Sequence, residues 1–259
     1  MRFPSKADCL KSLKRAGLHP ASVIDVGVHT GTPDLMAAFP KAHHLLVEPE
    51  VADAEAIEAA YRDIPHTLVA AAASDRDGTA ELTAEHRGGR SEVTHSRLEA
   101  VEGRTDTGAA SHVRLARLDR LVEDAGLSGP YLLKIDTDGH ELEVLAGAQQ
   151  TLRDSAIVII EAPLHTLTER AAALEAAGLR LFDIIDLAYY HDTLSQVDLV
   201  FLNPALADPD DVNPWRNPDF DWSAWRQLQP WTSVFDPLRR LEAGVRRRTA
   251  FALRRLLRR

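Results

Sequence analysis

Cysteine is nearly absent from this chain: Cys9 is the one thiol in 259 residues. A single thiol excludes an intramolecular disulfide and a thiolate metal cluster, and both absences fit a reducing cytoplasm. No stretch approaches the roughly 18 uninterrupted apolar residues of a membrane span. The opening MRFPSKADCLKSLKRAG lacks the continuous apolar core of a secretion signal and reads as an amphipathic helix over residues 5–17. Two phosphate-binding signatures are missing as well. There is no G-x-G-x-x-G for a pyrophosphate and no G-K-[ST] for a triphosphate. No His/Cys spacing suits zinc, and there are no internal repeats. Basic residues are scarce outside the C-terminus. Residues 238–259 carry nine Arg against one Glu, or +8, so with the whole chain at −9 the first 237 residues carry −17. Such a body lacks the basic surface that a nucleic-acid substrate requires.

What is present points to an α/β domain. The 45% apolar content is ordinary for a globular chain, and the length permits one large domain with an extension. We place the domain at residues 1–205. Residues 206–259 form a Trp/Pro-rich extension and a basic tail; the extension holds all four Trp of the chain (215, 222, 225 and 231). Strands are expected at Ser22–Val28, His43–Glu48, His66–Ala73, Tyr131–Asp136 and Ala156–Glu161. Helices are expected between them at Pro33–Phe39, Ala52–Tyr61, Leu118–Ala125 and Glu141–Leu152, with Thr32 and Pro33 placed to start the first. A helix at His165–Ala177 follows the fifth strand. Thr79–Thr83 reads as a hairpin arm, Val113–Leu118 as another short strand, and residues 86–111 as a loop over the site. The last two strands, Leu181–Leu187 and Val197–Leu202, are joined by a polar turn too short for a helical crossover and should pair antiparallel. The sum is a doubly wound, mostly parallel seven-stranded sheet with helices on both faces and an antiparallel terminal strand.

The most informative segment is SVIDVGVHTG, Ser22–Gly31. It is a buried strand running into a glycine turn, and such turns at the carboxyl ends of parallel strands are where doubly wound folds bind nucleotide-like ligands. Gly27 lets the backbone turn sharply and approach a ligand with no Cβ in the way. Asp25 stands at the strand end, where its carboxylate can order the loop amides. This D-x-G-x-x-x-G turn suits a nucleoside with a short charged tail, such as S-adenosylmethionine. The next strand ends in Glu48, 21 residues past Gly27, the spacing of an acid that binds both ribose hydroxyls. Ser74 and Asp75 close the third strand and are placed for adenine, Asp75 as an acceptor for the amino group; an Asx turn before Asp77-Gly78 accounts for them nearly as well.

A second dense segment is YLLKIDTDGHELEVLAGAQQTL, residues 131–152. It brings Lys134, Asp136, Asp138, His140 and Glu141 to the carboxyl edge of the sheet. Clustered ionisable groups perturb one another's pKa values, as active sites do. A turn at Asp138-Gly139 and a dipole-favoured first helical turn are the structural reading of the same residues.

Together VIDVGVHTG, LLVEPE, AAASDRDGTAEL, LLKIDTDGHELEVLAGA and QVDLVFLNP resemble the FkbM family of S-adenosylmethionine-dependent methyltransferases, in order over about residues 20–204. The family pattern at the fourth strand is K-I-D-x-E-G-x-E; here it is Lys134, Asp136, Asp138, Gly139 and Glu141, with Asp138 in place of the Glu. Val28-His29 stands where Ala-Asn is common. The resemblance implies a Rossmann-like class I methyltransferase and O-methylation of a hydroxyl on a natural product, glycolipid or sugar. It implies a cofactor site at Asp25, Gly27, His29, Gly31, Glu48, Ser74, Asp75 and Asp136. The base candidates are Asp136, His140, Glu161 and His165; His140 titrates near neutrality. Asp136, Asp138 and Glu161 are hard ligands suited to Mg²⁺, although carboxylates at strand ends commonly stand without metal, and no metal site is assigned. A dehydrogenase is disfavoured by the missing third glycine and the antiparallel ending. The alternative function is a non-catalytic cofactor-binding scaffold recruited through the basic tail, which as an amphipathic helix suits an anionic membrane surface or self-association.

Overall fold

The structure is a computed structural model, and it describes residues 2–49, 54–85, 95–99, 110–207 and 218–226. The chain divides into two compact units, residues 2–210 and residues 211–259 with Met1.

In the first unit a seven-stranded sheet runs in the order β10(Arg180–Tyr190)-β11(Thr193–Leu202)-β9(Ser155–Pro163)-β8(Tyr131–Ile135)-β1(Ser22–Val26)-β2(His43–Val47)-β3(His66–Val69). The pairings from β9 to β3 are parallel, and β11 is antiparallel to both β9 and β10. All five residues of β1 and of β8 are buried. Their unbroken burial, rather than an alternating pattern, reflects a sheet covered on both faces. On one face Ile24, Leu45, Leu133, Val158 and Ile160 belong to a core that includes residues of α4(Leu118–Asp124), α5(Glu141–Ala146), α6(Gln149–Arg153) and α7(Leu167–Ala176). On the other, Val23, Leu132, Ile157, Ile159 and Val200 pack with Cys9, Leu10 and Leu13 of α1(Lys6–Arg15) and Leu35 of α2(Pro33–Ala38). Burial drives the Cys9 thiol up to about 12, with a smaller opposing pull from Arg2, so it is an inert core group. Tyr61 and Ile57 of α3(Ala54–Tyr61) cover Val28 and Leu46.

Three elements differ from expectation. The third strand is cut in two: β3 stays in the large sheet, and after Ala71 the chain enters β4(Ala72–Ser74) of a second sheet. Residues 86–111 are not simply a loop. The second sheet, in the order β4-β7-β5-β6, includes β5(Gly78–Glu85), β6(His95–Glu99) and β7(Ala110–Arg117). Val113 and Leu115 are buried in it while His112 and Arg114 face outward, an alternation that pins β7 to β5. The helix after β8 is broken into α5 and α6 at Gly147, where a Cβ would stand 1.8 Å from the Ser74 carbonyl oxygen. The chain passes too close to β4 for a side chain there.

The second unit is described over residues 218–226. Phe220, Trp222 and Trp225 group their rings at centroid distances of 5.0 to 6.1 Å. Trp215, Trp231 and the basic tail lie outside the described residues. Among the described residues no helix is long and apolar enough to cross a membrane.

Candidate functional site

Where β1 ends, the backbone turns through left-handed residues at Gly27 (φ +77°), His29 (φ +51°) and Gly31 (φ +123°). The turn is held from both neighbouring strands. Gly27 N–H donates to the Val47 carbonyl at 3.0 Å. His29 N–H donates to Oε2 of Glu48 at 2.8 Å, so the buried acid at the end of β2 also fixes the loop. Asp25 is fully buried, and neither of its carboxylate oxygens has a hydrogen-bond partner. Its neighbour is a charge: Lys134 Nζ lies 3.2 Å from Asp25 Oδ1, off hydrogen-bonding geometry. The ammonium donates instead to the Gly27 carbonyl at 2.8 Å and reaches Asp136 Oδ2 at 3.3 Å. Burial alone would lower the Lys134 pKa; Asp25 and Asp136 outweigh it, and the pKa is raised. Lys134 is therefore a fixed cation that ties the glycine turn to the end of β8.

Beyond β8, Asp138 takes φ +52° and Gly139 φ +109°. Glu141 braces this bend. Its Oε1 accepts from Thr137 N–H at 3.0 Å, Thr137 Oγ1 at 3.2 Å and Gly139 N–H at 3.0 Å. Its Oε2 accepts from the Arg170 guanidinium, through Nε at 3.2 Å and through Nη2. Both partners are buried. The first-turn position of Glu141 is thus less a matter of the helix dipole than of an ion pair to α7.

The sheet register gathers the acids. Asp198 of β11 is the cross-strand partner of Glu161 on β9, and Asp136 stands one step beyond the Ile135–Ile160 pair. Asp136, Glu161 and Asp198 therefore form a row across the carboxyl edge. Burial pushes the Glu161 carboxyl up to about 9, and the neighbouring acids Asp136, Glu141 and Asp138 add to the rise. Gln196 donates its Nε2 to Glu161 Oε1. Glu161 therefore holds its proton near neutrality, the behaviour of a buried carboxyl beside other acids.

That proton has a consequence for stability. A group whose folded pKa is raised contributes stability below its unfolded pKa and loses it as pH climbs to the folded one. Between 4.5 and about 9, the folded chain holds a proton that the unfolded chain has released. Stability should fall across this window with a limiting slope of about 1.4 kcal/mol per pH unit. Glu161→Gln removes the titration. Urea unfolding midpoints should flatten for the variant, leaving it the more stable at about pH 8.

The remaining candidates are placed elsewhere. His140 Nε2 lies 3.0 Å from Ser74 Oγ and its Nδ1 3.6 Å from Glu143. Burial lowers its pKa against the opposing pull of Glu143, Glu141 and Asp75, so the ring is neutral at pH 7. Ser74 donates to Asp75 Oδ1 at 3.1 Å, and Arg76 reaches the same oxygen at 3.0 Å. Ser74 is fully buried. His165 is exposed in the turn between β9 and α7. Among the described residues no three His, Cys, Asp or Glu are grouped to hold a metal ion.

Gln196, Arg170, Lys6 and Asp198 were not singled out by the sequence. Each reaches the edge from a distant element, and only strand pairing or helix packing reveals it.

The donor set fits an adenosyl ligand with a charged tail. The groups that would face it are the left-handed turn with a buried acid behind it and a second acid at the end of the adjacent strand. Gly27 is not left open for a ligand as expected: a Cβ there would meet the Asp136 carbonyl oxygen at 1.7 Å, so the glycine is required by the close approach of the end of β8.

A family model described as the methyltransferase FkbM domain matches residues 25–186. No curated protein matches the chain. Among solved structures, methyltransferase FkbM from Methylobacillus flagellatus KT is similar at 13% identity and TM-score 0.47, over 77% of this chain and 48% of that one. The present chain thus spans about half that protein's length. Precorrin-6y C5,15-methyltransferase from Geobacter metallireducens GS-15 is similar at 14% identity and TM-score 0.42, covering 76% and 86% of the two chains. Aeropyrum pernix fibrillarin, in complex with natively bound S-adenosyl-L-methionine, is similar at 12% identity and TM-score 0.43, covering 74% of each.

Proposed function

This chain belongs to the FkbM methyltransferase family, and on that premise we propose that it transfers a methyl group from S-adenosylmethionine to a hydroxyl oxygen of a small molecule such as a sugar, glycolipid or secondary metabolite. The observation that carries the reading is the Asp136–Glu161 pair, two acids that the register sets side by side at the strand ends next to the glycine turn.

The cofactor, when bound, supplies an electrophilic methyl on a sulfonium. The chain's part is to bind, orient and accept a proton. Asp25, Gly27, His29 and Gly31 form the turn that would receive the cofactor's amino-acid end, and Glu48 would accept the ribose hydroxyls. Ser74 and Asp75 would border the adenine. Lys134 keeps the turn and Asp136 at a fixed separation. Holding the acceptor oxygen in line with the methyl carbon and its leaving sulfur supplies most of the acceleration. As the oxygen–carbon bond forms, the hydroxyl proton passes to Asp136, the exposed member of the pair. General-base catalysis of this kind is worth about 10²–10⁴-fold. Glu161 keeps its own proton and stabilises the charge on its partner. His140, neutral and bonded to Ser74, holds the adenine end in place.

Calorimetric titration tests this. S-adenosylmethionine and S-adenosylhomocysteine should bind in the micromolar range with or without Mg²⁺, and NAD should not bind. Asp136→Asn should retain S-adenosylhomocysteine binding while transfer to an accepted hydroxyl compound falls by about 10²-fold or more. Folded protein that binds neither adenosyl ligand overturns the reading. Binding without turnover across a broad acceptor screen would favour the scaffold function.

A further inference from the structure

The carboxylate row contains more negative charge than Lys134 can balance, and the second cation comes from an unexpected place. Lys6, in the first turn of α1, reaches Asp198 Oδ2 at 2.8 Å and Asp186 Oδ2 at 3.4 Å. Its side chain is mostly buried, and so is that of Asp198. The start of α1 is pinned for this. Lys6 N–H donates to Asp186 Oδ1 at 3.0 Å, Asp186 N–H donates to the Pro4 carbonyl at 2.8 Å, and Arg2 pairs with Asp183. All three acids lie on β10 and β11, the antiparallel end of the sheet, and Asp198 is directly opposite Glu161.

We propose that Lys6 is a positioning residue: through Asp198, the cross-strand partner of Glu161, the N-terminal helix sets the charge on Glu161 and so the pH range in which it holds a proton. The inference rests on the methyltransferase reading above only for the use to which that proton is put.

The arrangement is one of two clamped acids around an unclamped one. Lys134 holds Asp136 at one end of the row, and Lys6 holds Asp198 at the other. Glu161, between them, is left with the neutral amide of Gln196. The charged groups around Glu161 are Lys134 and Asp136 of β8 and its end, Asp138 of the following bend, Glu141 of α5 with its partner Arg170 of α7, and Asp198 of β11 with its partner Lys6 of α1. Only Lys6 and Asp198 lie outside residues 25–186, the span of the family match. Burial lowers the Lys6 pKa and Asp198 raises it, the balance being upward; Asp198 is raised by burial and pulled back by Lys6. The two charges are mutually dependent.

The test reads Glu161 itself and needs no acceptor. Carboxyl carbon NMR of ¹³C-glutamate-labelled protein, with Glu161→Gln to assign the signal, gives the Glu161 midpoint. Lys6→Met removes a nearby positive charge and should raise the midpoint, by on the order of one pH unit. Lys6→Arg should leave it near the wild-type value. Asp198→Asn removes a negative charge and leaves Lys6 in place, so it should lower the midpoint. The paired variant Lys6→Met/Asp198→Asn should return it toward wild type. The opposite signs keep the test decisive if one single variant folds poorly. A midpoint unmoved in both Lys6→Met and Asp198→Asn, or moved the same way by both, overturns the proposal. Cofactor titration of the same samples reports on the methyltransferase reading separately.

Discussion

Replacing Glu141 by alanine is expected to destabilise the protein by about 3–5 kcal/mol, the range for removing one partner of a buried ion pair. Arg170 would be left buried with its charge uncompensated, since Glu141 is the carboxylate its Nε and Nη2 reach. The backbone N–H groups of Thr137 and Gly139 would lose their acceptor in the same step, which loosens the bend at a smaller cost because water can reach them. Glu141→Gln should be milder, because an amide oxygen can still accept from the bend. Urea midpoints for the two variants check this. The functional corollary is directional. The bend after β8 carries Asp136 and Asp138, so a Glu141→Ala protein that still folds should lose transfer activity more than cofactor affinity.

Gly27→Ala should be worse still, costing above about 4 kcal/mol or abolishing folding. A left-handed φ of +77° alone costs about 1–2 kcal/mol for a residue with a side chain. The greater part of the loss is steric. A Cβ at position 27 would lie 1.7 Å from the Asp136 carbonyl oxygen and 2.8 Å from its carbonyl carbon, both backbone atoms of the adjacent strand end. No side-chain rotation relieves that. Either β1 and β8 separate where Lys134 joins them, or the turn refolds; both dismantle the glycine turn. Gly31→Ala is the control. Its φ of +123° is also left-handed, but its added Cβ would meet Tyr61 Cε2 at an ordinary 3.4 Å. Strain alone should set that loss at about 1–3 kcal/mol. Thermal unfolding and S-adenosylhomocysteine titration of the two variants separate the steric effect from the conformational one.

Local features were the legible ones. The glycine turn, Glu48 and the acids after β8 follow strand ends, where a run of buried residues meets a turn former, and each can be found from its own neighbours. The antiparallel ending was legible from the short polar turn between the last two strands. Register was not. The β8–β9 ladder shifts between Tyr131 and Leu132; without that irregularity Asp136 would stand opposite Ile160 rather than Glu161. No property of either segment alone announces a one-residue slip, although it decides whether two carboxyls meet. The same holds for Gln196, Lys6 and Asp198, which enter the edge by pairing and packing from the two ends of the domain. His140 was attractive as a base by residue type. Its placement against Ser74 depends on β4 having left the large sheet, which the alanine run at residues 70–73 did not reveal. The second sheet escaped for a related reason: β6 is polar and short, and pairs only with β5.

The order of strands in the large sheet also governs how the chain comes together. β1, β2 and β3 are neighbours in sequence and can pair as soon as they exist. The other partner of β1 is β8, roughly a hundred residues later. Until Tyr131–Ile135 arrives, one edge of β1 presents unpaired N–H and C=O groups along an apolar strand, the situation in which strands recruit foreign chains. At about 5–20 residues per second, a ribosome leaves that edge open for about 5–20 s. Closing so long a loop is also what slows folding in topologies of high contact order. The β1–β8 contact at the centre of the sheet therefore waits until about half of the chain has been made, and a nascent chain held before β8 is the form of this protein most in need of a chaperone.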